Sequence, residues 1–283
     1  MFAYNQMDRL VNRPYGKGAL FGVLLAVPFL ASCSEQPVVR EAEAAVNPGQ
    51  TGFFGSPVEV GNGAARTYIL TRDDGVIEVG IALSEDALEG LPTGAPHGEG
   101  AHDHFSVSHV LEMPAGNPTP FQFVGLDWNP SGHIPPGIYD LPHFDMHFYT
   151  VSKAERDAIV PSDPQYAEKA GHFPIPSQIP AGYADLATLG QTTPEAAAVP
   201  LMGMHWVDVA SPELNGSTFT ETLIYGSWDG EVIFVEPMIT RAFLQTRPDY
   251  SRDLPVADLE FSPASYRIYW NDASREYRIA LEF

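Results

Sequence analysis

Cysteine and basic side chains are scarce in this sequence. One cysteine, Cys33, occurs in 283 residues, so an intramolecular disulfide is excluded and stability must come from the core, a bound metal or oligomerisation. Lys and Arg number 15 against 36 Asp and Glu, which gives a formal net charge of −21. Such a surface repels nucleic acid and favours cations. We therefore expect no nucleic-acid partner.

Signatures of common enzyme classes are also missing. The sequence has no nucleophile motif, no phosphate-binding loop and no dinucleotide fingerprint. The apolar run at residues 19–30 is shorter than the ~20 residues that a membrane-spanning helix needs. Metal binding, metal-dependent chemistry and a structural or ligand-binding role are the function classes that we consider further.

The N-terminal segment predicts export. Arg9, Arg13 and Lys17 form a basic region before the apolar run of residues 19–30. This order is typical of a secretory leader. We therefore interpret residues 1–32 as a signal peptide rather than as part of the folded domain.

The end of the leader predicts lipidation. Leu30-Ala31-Ser32-Cys33 resembles the lipobox of bacterial lipoproteins, which implies cleavage before Cys33 and attachment of acyl chains such as palmitate to this residue. Ser34 follows, whereas Asp at that place retains such proteins at the inner membrane. We therefore expect a lipid anchor at Cys33, with the membrane as partner, and an outer-membrane location in the cell envelope. An ordinary signal peptide with an accidental cysteine is the alternative.

The rest of the chain predicts a tether and one domain. Residues 33–57 have little to bury and are predicted to be a flexible tether, whereas residues 58–283 are predicted to be a single β-rich domain. Its clearest strands form two hairpins, residues 67–71 with 76–83 and residues 219–225 with 231–239. Many short strands favour a mainly β fold, an antiparallel sandwich or barrel with long Pro/Gly-rich loops and one or two short helices.

One long connection interrupts the strand pattern. Residues 161–200 are rich in Pro, Gly and Ala and predict irregular chain with only a short helix near residues 194–198. A connection of this length is usually a lid, a binding loop or a subunit contact. Another short helix is predicted just before it, because Ser152 and Glu155 have the spacing of a capping box.

Residues 142–149, Pro-His-Phe-Asp-Met-His-Phe-Tyr, carry the most distinctive pattern. As a strand they place His143, Asp145 and His147 on one face and apolar side chains on the other. The apolar face suits a core, while two imidazoles and a carboxylate suit a divalent metal. A helix would also pair the histidines, but Pro142 and the aromatic content favour the strand.

Further candidate ligands lie elsewhere in the chain. Glu236 shares a strand face with apolar residues, so its carboxylate needs a cation, a hydrogen-bond donor or a metal beside it. His205 lies in a short strand next to Trp206. The accessory metal candidates are His97, His102 and His104 in a Gly/Pro-rich loop, and His133 upstream of the central strand.

Strand geometry limits how these residues act together. Neighbours on one face are about 6.5–7 Å apart, so His143 and His147 cannot both bind one small ion from a regular strand. We expect one site that combines Asp145 with one of these histidines and is completed by His205 and Glu236. A bulge at Asp145 would relax the limit. Nitrogen and oxygen ligands suit Zn²⁺, Mn²⁺, Fe²⁺, Ni²⁺ or Cu²⁺ and do not distinguish them.

Each candidate also has an ordinary structural explanation. The histidines of the central strand could form the solvated face of an amphipathic strand. Glu236 could form an ion pair with Arg241 or Lys153. His205 could simply pack beside Trp206.

Four short motifs span roughly residues 65–245. They are Asp127-Trp128-Asn129-Pro130-x-Gly132-His133, Tyr139-Asp140-x-Pro142-His143-Phe144-Asp145-x-His147-Phe148-Tyr149, Gly203-x-His205-Trp206-x-Asp208, and Tyr225-Gly226-Ser227-x-Asp229-Gly230 with Phe234-x-Glu236-Pro237-Met238. As a set they resemble an uncharacterised family of exported bacterial β-rich proteins. The resemblance implies a secreted β-rich domain that can form homo-oligomers, and it brings no established activity.

Three functions are consistent with these residues. The first is a lipid-anchored cell-envelope protein that binds a divalent transition metal and stores, delivers or senses it. The second is a metal-dependent enzyme with cupin-like logic, in which Glu236 is a ligand or general base and residues 161–200 form a lid. The third is a structural or ligand-binding β module without metal. We favour the binding protein, because nothing in the sequence specifies a substrate.

Overall fold

Short strands dominate the chain from residue 48 onward. The computed structural model describes residues 48–73, 75–94, 106–260 and 262–283, which belong to one compact unit. The strands are β1 Thr51–Phe54, β2 Val58–Val60, β3 Gly63–Arg72, β4 Gly75–Ser84, β5 Val107–Glu112, β6 Phe123–Asn129, β7 His143–Tyr149, β8 Tyr183–Asp185, β9 Met204–Asp208, β10 Glu221–Trp228, β11 Glu231–Thr240, β12 Asp249–Asp253, β13 Ser265–Asn271 and β14 Glu276–Glu282. The α-helices are α1 Lys153–Asp157, α2 Tyr166–Gly171, α3 Leu186–Leu189, α4 Pro194–Ala197 and α5 Arg241–Gln245, and short 3₁₀ helices occupy Glu85–Leu88, Pro176–Gln178 and Glu213–Asn215.

These strands form two antiparallel sheets. The first sheet has the order β1-β3-β4-β14-β13-β12, with β2 also paired to β3. The second sheet has the order β5-β6-β7-β11-β10-β9-β8. Neither order returns to its starting strand, so the predicted mainly β antiparallel fold is confirmed in its sandwich form. The two predicted hairpins are the β3–β4 and β10–β11 pairs.

One apolar core joins the two sheets. Ile69 and Ile81 of the first sheet belong to the same buried cluster as Phe144, Met146 and Phe148 of β7. Burying a side chain of this size contributes about 1.5–3 kcal/mol. Because successive side chains of a strand point to opposite faces, this packing turns the polar residues of β7 to the other face of the second sheet.

That other face is buried as well. Residues 150–203, which we call the covering segment, lie over it. Ile159 and Tyr166 of this segment pack in one cluster with Phe123, Tyr149 and Phe234 of the sheet. As a result every residue of β7 is buried, so its polar side chains lie inside the protein rather than in solvent.

The covering segment is more regular than the sequence predicted. The helix near residues 194–198 is confirmed as α4, but α2, β8 and α3 were not predicted. β8 pairs with β9 at the edge of the second sheet, and the Asp185 carboxylate accepts a hydrogen bond from the Thr188 N–H at the start of α3. Elements this short are stabilised by pairing and caps and show no hydrophobic period that a sequence pattern could reveal.

The helix predicted from a capping box is α1. The Ser152 hydroxyl accepts a hydrogen bond from the Glu155 N–H, and the Glu155 carboxylate accepts one from the Ser152 N–H. The two hydrogen bonds satisfy backbone N–H groups at the start of α1. The chain that leaves β7 is thereby turned into the covering segment.

The predicted tether of residues 33–57 is wrong at its C-terminal end. β1 (Thr51–Phe54) pairs with β3, and the Phe54 ring centroid lies 6.3 Å from that of Tyr68. A strand of four partly exposed residues has no alternation that would have predicted it.

The predicted signal peptide and Cys33 lie outside the described residues. Within the described chain, no helix is long and apolar enough to cross a membrane.

We predict that Gly203→Ala destabilises the protein more than Gly216→Ala. Both glycines have a left-handed backbone, with φ of +81° and +89°, so an alanine at either position costs about 1–2 kcal/mol. A Cβ at position 203 would also lie 2.4 Å from the Ser227 carbonyl oxygen, whereas a Cβ at position 216 meets nothing within 4 Å. Urea unfolding of the two variants measures the difference. Equal losses of stability would contradict the close contact at Gly203.

Candidate metal centre

Three adjacent strands bring polar side chains together on the covered face of the second sheet. Asp127 of β6 is directly opposite Asp145 of β7. On the other side of β7, Met238 of β11 is opposite Asp145. Because this pairing is antiparallel, Glu236 lies beside His147. Strand register therefore determines which carboxylate meets which imidazole.

The first group of candidate ligands consists of His133, His143 and Asp145. His143 Nε2 lies 3.0 Å from Asp145 Oδ1, and His133 Nε2 lies 3.1 Å from Asp145 Oδ2. The group offers three ligand atoms that all lie within 4.8 Å of one another. Asn129 Nδ2 donates a hydrogen bond of 2.7 Å to Asp145 Oδ2, which holds the carboxylate between the two imidazoles.

A tight loop between β6 and β7 positions His133. Gly132 in this loop has a φ of +71°, and a Cβ there would lie 2.0 Å from the Tyr139 carbonyl oxygen, so the position requires glycine. The His133 N–H donates a hydrogen bond of 3.1 Å to the same carbonyl. The His133 imidazole meets the His143 ring edge-on, with ring centroids 4.7 Å apart.

Backbone carbonyls orient both imidazoles of the first group. His143 Nδ1 lies 2.6 Å from the Leu141 carbonyl oxygen, and His133 Nδ1 lies 2.7 Å from the Ile134 carbonyl oxygen. A carbonyl oxygen can only accept a hydrogen bond, so each Nδ1 carries a proton and each Nε2 is directed at Asp145. Metal-binding histidines are usually oriented in this way.

The second group consists of His147, His205 and Glu236, which come from β7, β9 and β11. Glu236 Oε1 lies 3.2 Å from His147 Nε2, and Oε2 lies 3.7 Å from His205 Nε2. The three ligand atoms again lie within 4.8 Å of one another. Asp127 Oδ2 lies 3.3 Å from His147 Nδ1. The Asp127 carboxylate thus faces Nδ1, the nitrogen of His147 that points away from Glu236. Backbone carbonyls face the corresponding nitrogens of His133 and His143 in the first group.

The spacing of these atoms matches that of ligands around one ion. In a tetrahedral site with bonds of ~2.0–2.1 Å, neighbouring ligand atoms lie about 3.3–3.4 Å apart. The nitrogen–oxygen separations of 3.0, 3.1, 3.2 and 3.7 Å bracket that distance. An ion held by the three protein ligands of either group would keep a fourth position open, which is typical of catalytic rather than structural sites.

Several of these atoms are buried without a hydrogen-bond partner among the described residues. They are His143 Nε2, Asp145 Oδ1, His147 Nε2 and Glu236 Oε2. A buried polar atom left without a partner costs about 1–3 kcal/mol. The nitrogens and oxygens are close enough to attract one another but are not aligned as donor and acceptor. A cation between them would satisfy both.

The first group keeps its carboxylate charged. Burial raises the pKa of Asp145, but the charges of His143 and His133 and the hydrogen bond from His133 lower the pKa well below its ordinary value. Burial also lowers the pKa of His133, but the hydrogen bond to Asp145 and its charge raise the pKa to about 9. At neutral pH a protonated imidazole therefore neutralises this carboxylate, and a bound cation would replace the proton.

The second group contains one neutral and one protonated imidazole. Burial, together with the positive charges of His147 and His133, lowers the pKa of His205 to about 3. Burial lowers the pKa of His147, but the charges of Glu236 and of Asp127, which lies 3.3 Å from Nδ1, raise it to about 9. Burial raises the pKa of the Glu236 carboxyl above its ordinary value, against the opposing charge of His147. The neutral imidazole of His205 is in the form that binds metals.

A cavity with a volume of about 610 Å³ adjoins both groups. Its polar end includes His133 and Asp145 of the first group and His205 and Glu236 of the second. The loop between β6 and β7 and the covering segment supply most of the remaining wall. The volume lies within the roughly 300–1,000 Å³ of small-molecule sites, so the cavity can hold a small molecule beside the candidate ligands.

The structure divides the predicted ligands between two groups instead of placing them in one site. The first group contains the predicted His143 and Asp145 with the accessory candidate His133, and the second contains the predicted His147, His205 and Glu236. The register of β6 with β7 runs without a shift through Asp145, so the bulge that would have let His143 and His147 share one ion is not present there. The accessory candidates His97, His102 and His104 lie outside the described residues.

Two of the ordinary explanations do not account for the contacts of these residues. The polar face of β7 is buried rather than solvated. Lys153 pairs with Glu112, and Arg241 pairs with Glu89, so neither is the ion-pair partner of Glu236. The Glu236 carboxylate instead lies beside the imidazoles of His147 and His205.

Asp127 and Asn129 are site residues that the sequence analysis did not identify. They lie two positions apart on β6, on the face that meets Asp145 and His143 of β7. The same spacing of two had identified His143 and Asp145, so this pattern was a usable signal. The missing information was the register between the two strands.

Comparison with known proteins gives a partial match to a family model. The model described as TTHB210-like, hypothetical protein TTHB210, matches residues 71–128. The matched part ends in β6 and includes Asp127, but it contains none of the six residues of the two groups. No curated protein and no solved structure matches significantly. The chain is therefore similar to this family over part of the fold, and the similarity carries no activity.

We predict that Asp145→Asn lowers the pKa of His133 in the metal-free protein from about 9. The largest contributions that raise this pKa are the hydrogen bond to Asp145 and its charge, with smaller ones from the Ile134 carbonyl and the charge of Glu236, whereas burial, which lowers it, remains. Asp127→Asn is the matched control, because its carboxylate faces His147 instead. Titration of the imidazole carbon resonances by NMR measures both pKa values. An unchanged His133 pKa in Asp145→Asn would contradict the contact.

Proposed function

We propose that this protein binds divalent transition-metal ions, one in each of the two groups. The observation that carries the proposal is the position of imidazole nitrogens 3.0–3.7 Å from carboxylate oxygens inside the protein. Carbonyl or carboxylate oxygens face the far nitrogens of His133, His143 and His147. Zn²⁺, Mn²⁺, Fe²⁺, Ni²⁺ and Cu²⁺ all accept such nitrogen and oxygen ligands.

The proposed setting is the bacterial cell envelope. Residues 1–32 have the pattern of a signal peptide, and Leu30-Ala31-Ser32-Cys33 supports a lipid anchor at Cys33. The net charge of −21 favours cations and opposes nucleic acid. In this setting a lipid-anchored protein would store, deliver or sense a transition metal.

A second candidate function is metal-dependent catalysis. The observation in its favour is the cavity of about 610 Å³ beside the two groups. An open ligand position facing such a cavity can hold water, and a bound metal makes that water more acidic and more nucleophilic. A change in the d–d spectrum of the Co²⁺-loaded protein on addition of azide would reveal an exchangeable position. A closed coordination sphere would favour storage or delivery.

We predict that protein purified without an affinity tag binds two divalent ions at saturation. Asp145→Asn and Glu236→Gln should each lower this number to one, because each replaces a charged ligand of one group by an amide of similar shape. His172→Ala is the matched control, since this imidazole is exposed and pairs with Asp229. Elemental analysis after dialysis measures the stoichiometry, and circular dichroism checks folding.

Two outcomes of this experiment would contradict the proposal. A folded wild-type protein that retains no ion would contradict the proposal and leave a structural or ligand-binding β module. Loss of both ions in a folded single variant would contradict the assignment of two separate groups.

We predict that the apparent metal affinity rises from pH 6 to pH 9 and becomes constant above that. Below pH 9 both His133 and His147 carry a proton in the metal-free protein, which the ion must displace. Each displaced proton changes the affinity by about tenfold per pH unit. Competition with a chelator of known pH dependence measures the affinity. A metal affinity that is already constant above pH 7 would contradict the raised pKa values of His133 and His147. It would mean that imidazoles with the ordinary pKa of about 6.5 limit binding.

A further inference from the structure

Away from the two groups, the cavity is mostly apolar, with Ser106, Ser108 and Thr192 as polar exceptions. Its walls include Ile134 and Ile138 of the loop between β6 and β7, Leu186 and Val199 of the covering segment, and Met238 of β11. Among the described residues that line it there is no Lys or Arg. All charged side chains of the lining are therefore at the end that contains the candidate metal ligands.

Apolar side chains also mark the solvent side of the cavity. Ile134 is 48% exposed and Leu189 is 45% exposed, and both line the cavity. At the other end, Asp145 and Glu236 are 5% and 2% exposed. A molecule that enters from solvent thus contacts apolar surface along its length and reaches the ligands with one end.

Metal binding gives the polar end a net positive charge. Its carboxylates are Asp127, Asp145 and Glu236. Two divalent ions bring four positive charges against these three carboxylates, while the histidines bind as neutral ligands. Each bound ion would also keep an open coordination position, because each group supplies three protein ligands. The loaded end would suit an anionic oxygen donor. In the metal-free cavity no lysine or arginine lies among the described lining residues, and the protonated His133 is already paired with Asp145.

We infer that the cavity binds a small amphipathic organic anion, with its carboxylate on the metal ions and its apolar body along the cavity wall. A medium-chain monocarboxylate has this chemistry. The inference rests on the proposed metal binding and deepens it by assigning the class of ligand. It makes the protein a receptor or an enzyme for such an anion rather than a carrier of the metal alone.

The test uses the full-length protein loaded with Co²⁺ and a series of monocarboxylates: acetate, butanoate, hexanoate and octanoate. Each added methylene that leaves water for the cavity should raise the affinity by about fourfold, so octanoate should bind at least about 100-fold more tightly than acetate. Every bound carboxylate should change the d–d spectrum of Co²⁺, because its oxygen enters the coordination sphere. The metal-free protein should not bind octanoate.

A cavity-filling variant provides the structural control. Ala197 of α4 lines the cavity, so Ala197→Phe should weaken octanoate binding by at least about tenfold and leave acetate affinity and Co²⁺ stoichiometry unchanged. Ala154→Phe on α1 is the matched control, because Ala154 is exposed and does not line the cavity.

Three results would overturn the inference. One is an affinity that does not depend on chain length, and another is an unchanged d–d spectrum with octanoate bound. A third is equally tight binding of octyltrimethylammonium, which has a similar apolar chain and the opposite charge. In each case Co²⁺ is bound and the proposed metal binding stands. Failure to bind Co²⁺ would overturn both proposals.

Discussion

Charge pairing on the covered face of the second sheet is the constraint on which the rest of this structure depends. Asp145 and Glu236 are both nearly inaccessible to solvent, and a buried carboxylate is tolerated only with a positive or hydrogen-bonding neighbour. Four imidazoles supply those neighbours, and each lies within 4 Å of one of the two carboxylates. The centre of the sheet is therefore polar between two apolar layers.

The covering segment makes the attraction between these charged groups stronger than it would be at the protein surface. By excluding water it lowers the local dielectric constant, so attraction between charges inside is larger than in solvent. The same segment leaves a cavity instead of packing flat on the sheet. Electrostatic strength and access for a small molecule thus arise from one piece of chain, which connects β7 to β9.

Much of this could be predicted from the sequence. Alternation identified β7 and the residues on each of its faces, and two hairpins identified the antiparallel fold. Reasoning from the burial of Glu236 correctly required a cation or donor beside it, which the structure supplies as His147 and His205. The strand spacing also correctly kept His143 and His147 from sharing one ion.

The remaining features depend on pairing between distant segments. The partner of Asp145 could not be chosen without the register of β6, which placed Asp127 and Asn129 beside it. Short elements such as β8 form because an edge of the second sheet is available to them, and no local pattern encodes that edge. A single site was expected because no sequence pattern reveals that His205 of β9 and Glu236 of β11 join His147 rather than Asp145.

The two groups differ in how far apart their members lie along the chain, and this sets when each can exist. His133, His143 and Asp145 belong to one hairpin, which can assemble early from neighbouring residues, whereas His147, His205 and Glu236 meet only when β7, β11, β10 and β9 have paired. The second group is therefore not assembled in an unfolded chain. If the proposed export and metal binding both hold and the polypeptide is translocated before it folds, the ion of the second group would be acquired on the far side of the membrane, and the metal supply of that compartment would decide which element is taken up.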